Sequence, residues 1–141
     1  MSDNLTIEDY PLSEKRPELI AGQRGKKLSD ITLDTLVSGE VQMEDLRITS
    51  QALHYQAEIA RAAGRPTLAE NFERGAELVA VPEEVIMQVY ELLRPGRAAD
   101  KSVLIEAAKL LRRDYGAAKL AAFMEEAAEV YERRGLFTYR F

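Results

Sequence analysis

The stretch AGRPTLAENFERGAELVAVPEEVIMQVYELLRP, residues 63–95, holds two helices and the punctuation between them. Gly64 closes what precedes it, and Pro66 suits a first helical turn, where the missing N–H costs nothing. Leu68, Phe72, Ala76 and Val79 then recur at the α-helical period and predict a buried stripe on a helix from about Pro66 to Val79. Val81-Pro82-Glu83-Glu84 restarts the chain, with Pro82 at the first helical position and two carboxylates against the positive end of the helix dipole. Val85, Ile86, Val89, Tyr90 and Leu93 are expected to face the core until Pro95-Gly96 stops the helix.

The same grammar extends in both directions. Upstream, Thr32 caps a short helix over about Leu33 to Ser38 that Gly39 ends, and a helical turn follows around Met43 to Leu46. Thr49 caps a longer helix to about Ala63, with Leu53, Ala57 and Ala60 on its apolar face. Downstream, Asp100 caps a helix burying Leu104, Ala107, Ala108 and Leu111. A last helix, about Ala117 to Arg134, uses Leu120, Phe123, Met124, Ala127, Val130 and Tyr131 before Gly135. No period-2 alternation persists between turn signals, so no proper sheet is expected. The fold class is all-α: a small bundle of about five to six helices.

Residues 1–28 differ. Pro11 and Pro17 push Tyr10 and Arg16 towards extended conformations, and Gly22 and Gly25 sit in a basic stretch with Gln23, Arg24, Lys26 and Lys27. Tyr10, Pro11, Leu12, Leu19 and Ile20 are too apolar for a purely solvating tail and are the candidate partner-interface residues. The expected organisation is an extended N-terminal arm, 1–28, and a helical domain, 29–141.

A chain of 141 residues is long enough for one core. No apolar run approaches the roughly 18 residues of a membrane span, and the N-terminus has no basic then apolar signal pattern. The absence of cysteine removes any disulfide framework and fits a cytoplasmic location. A net charge of −5 argues against nucleic acid as a partner, and Lys109, Arg112, Arg113 and Lys119 read as a solvated helix face.

Catalytic constellations are not found. His54, the single histidine, has only Glu58 at i+4 beside it, too little for a base or a metal site. Glu125, Glu126, Glu129 and Glu132 lack the Glu-x-x-His pairs of a di-iron bundle, and Glu129–Arg133 and Glu70–Arg74 have the spacing of surface ion pairs. Asp100 stands where a phosphate-binding loop needs glycine before Lys101-Ser102, and a helix precedes it instead of a strand. No catalytic, cofactor-binding or metal residue is therefore assigned, and a helical domain with an arm is a shape better suited to binding another protein than to catalysis.

Three stretches are more specific: Asp9-Tyr10-Pro11-Leu12 with Arg16-Pro17-Glu18; Asp45-Leu46-Arg47-Ile48-Thr49 running into Leu53, Gln56-Ala57 and Ile59-Ala60; and the block 63–95. In this order and spacing they resemble the small (gamma) subunit of adenosylcobalamin-dependent diol and glycerol dehydratases, from about Asp9 to Tyr131. The resemblance implies a complex with large (alpha) and medium (beta) subunits, two copies of each. In that complex the large subunit holds substrate and a metal ion, and adenosylcobalamin lies between large and medium subunits. It implies a complex that converts a 1,2-diol or glycerol to an aldehyde and water, with no catalytic residue on this chain, which would stabilise the assembly by packing on the large subunit. The alternative reading is a free-standing helical adaptor that shares the fold.

The sequence departs from the family pattern at Gly75, where alanine is usual, at Gly96, where a larger residue is usual, and in the aromatic tail Phe137, Tyr139 and Phe141, expected to dock on a partner or the core. With only eight residues before Asp9, this chain is not expected to target a bacterial microcompartment, which leaves open a compartment reached through another subunit.

Overall fold

A computed structural model describes residues 4–137. Its helices are α1 (Leu12–Lys15), α2 (Leu33–Val37), α3 (Ser50–Ala62), α4 (Pro66–Leu78), α5 (Glu83–Leu93), α6 (Lys101–Tyr115) and α7 (Ala118–Arg134), with 3-10 turns at Ile7–Asp9, Pro17–Leu19, Leu28–Asp30 and Met43–Leu46. Among the described residues there is no strand, only an isolated bridge between Ala21 and Lys27. The all-α class and the five long helices agree with the sequence reading. The chain forms two compact units, Met1–Val79 and Ala80–Phe141.

In the first unit α3 and α4 make a helical hairpin. Thr49 accepts from Ala52 N at 3.1 Å to open α3. Gly64, at φ +73, turns the chain so that Arg65 N reaches Ala60 O at 2.9 Å. Ala57, Ala60 and Ala69 bring the two helices together, with Leu68 and Phe72 packed on them. Small residues at a seam let helix axes approach closely, so Phe72 lies half-buried over the alanines instead of between the helices. Val79 is exposed, contrary to the expected stripe. It directly follows α4, where the helical period no longer holds the side chain against the seam. Gly75 is not a close-approach residue: a methyl there would meet Leu53 Cδ1 at an ordinary 3.7 Å.

The second unit is built on α6 and α7. Asp100 caps α6 by accepting from Ser102 N at 2.8 Å, and Gly116 (φ 60) and Gly135 (φ 66) end the two helices in the left-handed conformation that favours glycine. Leu104, Ala108 and Leu111 from α6 and Ala121, Met124 and Ala128 from α7 are fully buried. Tyr131 donates its hydroxyl to Leu93 O, and Gly96, at φ +80, donates to Leu136 O at 3.0 Å, so the glycine meets a backbone need. Tyr90 and Phe123 are exposed at 60% and 40%, against the sequence expectation. Each sits at the margin of its helix's apolar stripe, beside the buried Val89 and Met124. Phe137 is half-buried, its ring centroid 6.2 Å from that of Tyr131. Tyr139 and Phe141 lie outside the described residues.

Candidate partner-binding surface

Residues 4–28 are wound into short turns on α3 and are not extended throughout. Two prolines cap or open these turns, and Thr6 and Asp9 form a reciprocal cap in which Thr6 N donates to Asp9 Oδ2 at 2.8 Å. Arg16 ties the turns together, donating to Asp9 Oδ1 at 3.1 Å and to Glu18 Oε1 at 2.6 Å. Hydrogen bonds from Arg16 and Thr6 hold the Asp9 carboxyl below its ordinary range, the Thr6 backbone contribution being the larger.

The five candidate interface residues separate in this geometry. Leu12 is 3% exposed, in a core cluster with Leu5 and Ile59. Leu19 and Ile20 are half-buried against the same cluster, and Pro11 is half-buried. Tyr10 is 60% exposed and lines a groove of about 310 Å³ with Ile7, Ile59, Leu68 and Phe72. Leu5 N also donates to Glu58 Oε2 at 3.1 Å. The arm thus contributes to its own unit's core and leaves Tyr10 and Ile7 facing outward.

What the sequence reading missed is a polar clamp at residues 22–24. Arg24 engages both oxygens of Asp45, with Nε to Oδ1 at 2.8 Å, and also donates to Glu40 O at 3.0 Å. Gln23 donates to Ile48 O at 3.2 Å, and Gly22 N donates to Lys26 O at 2.8 Å. Gln42 N completes the Asp45 site at 2.8 Å. The Asp45 side chain is buried, a cost that these charge-assisted bonds offset. The Arg24 guanidinium, then the Gln42 N–H, lower its pKa from the usual 3.8 to about 2, against the upward effect of burial. Gly22 is required by this arrangement: a Cβ there would lie 2.5 Å from Asp45 O. The basic stretch read around Gly22 and Gly25 is a turn, closed by Gly25 N to Gly22 O at 2.9 Å, and the long-range partner of Arg24 carried no sequence signature.

Groups suited to chemistry are not brought together. His54 is exposed on α3. Among the described residues, no three His, Asp or Glu side chains gather as a metal site. Glu125 accepts from Arg112 at 2.6 and 3.3 Å, and Lys101 bridges Glu129 and Glu132. Glu129 therefore pairs across helices, with Lys101 of α6. Lys109 and Arg113 likewise carry carboxylate partners, Glu106 and Asp114. No helix among the described residues is long and apolar enough to cross a membrane.

Comparison with known proteins identifies the family. The family model described as dehydratase small subunit matches residues 5–138. The propanediol dehydratase small subunit of Citrobacter freundii is 46% identical over 128 residues, covering 91% of this chain and 74% of that protein. The propanediol dehydratase small subunit of Salmonella typhimurium is 44% identical over 133 residues, covering 94% and 76%. These matches bear out the resemblance read from the three sequence stretches. The chain belongs to the dehydratase small-subunit family.

Proposed function

We propose that this chain is the small subunit of an adenosylcobalamin-dependent diol dehydratase and stabilises the assembly by packing on the large subunit. The observation that carries this reading is the 46% and 44% identity to propanediol dehydratase small subunits along more than nine-tenths of the chain. The names of those relatives favour propane-1,2-diol over glycerol as substrate. The complex, with two copies each of large, medium and small subunits, eliminates water from the diol to leave an aldehyde, in the cytoplasm or in a compartment reached through another subunit.

In this reading the coenzyme is held by the other subunits. Ligands of drug size fill about 300–1,000 Å³, and a corrin coenzyme is larger still. The grooves within the two units are open and of about 310–460 Å³, lined mainly by aliphatic side chains. When bound to the complex, adenosylcobalamin supplies radical chemistry, while this chain's residues supply contact surface. Of the arm residues, Tyr10 and the half-buried Pro11, Leu19 and Ile20 are in position to extend such a contact, and Leu12 supports them from the core.

The test is reconstitution. Large and medium subunits with added adenosylcobalamin should yield less soluble complex and less aldehyde when this chain is omitted, and this chain alone should yield none. Large and medium subunits that assemble and turn over equally well without it would refute the reading.

A further inference from the structure

We infer that residues 26–48 form a preorganised docking lobe, and that its occupant is the large subunit, which would cover the lobe's exposed apolar side chains and the recess beside them. This deepens the proposed function and rests on it. The lobe departs from the rest of the chain in where its large side chains point. Leu33, Leu36, Val37, Met43, Leu46 and Ile48 are each half or more exposed, Leu33 at 75% and Val37 at 79%. Val41 is the one large apolar residue of the segment that is fully buried, beside the buried Asp45. A segment with so small a core of its own is held instead by polar bonds at its base. Gly22 N binds Lys26 O, Gln23 binds Ile48 O, and Arg24 spans Glu40 and Asp45. Within the lobe, Thr32 and Thr35 cap α2 reciprocally, and Val41 N donates to Thr35 O at 3.0 Å. The backbone is thus fixed before any partner arrives, which lowers the ordering cost of association.

Area and charge identify the occupant. Six aliphatic side chains at this exposure present roughly 400–500 Å² of apolar surface, close to the apolar share of the ~800 Å² each partner gives to a standard interface. Leu46 and Ile48 also line a groove of about 460 Å³ with Leu28 and Ile31, a recess for a partner's side chain. With Lys26 paired to Glu40, the carboxylates Asp30, Asp34 and Glu44 still outnumber the lobe's remaining cations, Lys27 and Arg47. A two-fold contact between copies of this chain would set these carboxylates against themselves, whereas a different chain can answer them with lysine and arginine.

The experiment uses the full chain with its large and medium subunits, comparing wild type, Leu33→Ser/Val37→Ser/Met43→Ser on the lobe, and Tyr10→Ser on the arm. Affinity for the large subunit is read by titration, and folding by melting temperature. The lobe variant should keep its melting temperature and bind about 100-fold more weakly, whereas Tyr10→Ser should bind within about tenfold of wild type. Wild-type binding with an equally tight lobe variant would overturn the lobe and leave the subunit role standing. A wild-type chain that does not bind the large subunit would overturn both. A chain that dimerises alone, and loses the dimer in the lobe variant, would assign the surface to a second copy and overturn the proposed occupant.

Discussion

Each unit is built on a pair of packed helices, but the two dispose their large apolar side chains differently. In Ala80–Phe141, α6 and α7 turn Leu104, Leu111 and Met124 fully inward. In Met1–Val79, the α3–α4 hairpin closes on alanines, and much of the remaining chain is fastened by Arg16, Arg24 and Asp45. Among the described residues, ten exposed large hydrophobic side chains lie in the first unit and four in the second. Apolar groups left outward on a backbone held by polar bonds are what a subunit needs before assembly, whereas apolar groups turned inward serve the fold. The second unit thus reads as support and the first as contact.

The largest effect expected on the isolated chain comes from the second unit. Leu104→Ala or Leu111→Ala removes a fully buried side chain and should cost about 2–5 kcal/mol, out of a domain's ~5–15 kcal/mol. A melting curve that barely moves would break the contrast from that side. Leu12→Ala tests how far the arm belongs to the first unit's core, and a loss near the lower end of that range is expected because its cluster is small.

Next is Gly22→Ala, where the new methyl meets the Asp45 carbonyl and must displace it; overpacking of this kind costs about 1–3 kcal/mol. The accompanying pH effect has a definite sign. Because folding lowers the Asp45 pKa from 3.8 to about 2, the stabilisation is complete above pH 3.8 and disappears as pH falls towards 2. Asp9, Glu18, Asp100, Asp114 and Glu125 are lowered too and share the acid window. The informative quantity is therefore the wild-type minus Asp45→Asn difference in an acid titration, which should shrink between pH 4 and pH 2. A difference constant with pH would remove Asp45 as the clamp. Smallest of all, the lobe substitutions at Leu33, Val37 and Met43 should change the isolated chain's stability by no more than about 0.5 kcal/mol, since each side chain already faces water.

These contrasts also show what could be read from the sequence. The caps at Thr32, Thr49 and Asp100 and the stops at Gly39, Gly64 and Gly135 are local chemistry, and the structure places them as expected. The centres of the apolar stripes were legible too, in Leu104, Leu111 and Met124. Their margins were not: Val79, Tyr90 and Phe123 sit where the period alone leaves the choice between core and solvent open, while Ala69, Ala121 and Ala128, silent in a hydrophobic pattern, are fully buried. The Arg24–Asp45 clamp was invisible because it joins residues 21 positions apart, and a glycine-flanked arginine reads as a flexible turn. The lobe was hidden in plain view: the Leu33–Val37 helix was read, but periodicity on a five-residue helix cannot say that its apolar side chains face outward.

The most direct test of the division between contact and support is amide hydrogen exchange on the full chain, free and then bound to its large and medium subunits. Assembly should slow exchange across residues 26–48 by about tenfold or more and leave α6 and α7 nearly unchanged, because their amides are already bonded within a buried core. Protection that appears in α6 and α7 while residues 26–48 exchange as freely as before would contradict the account.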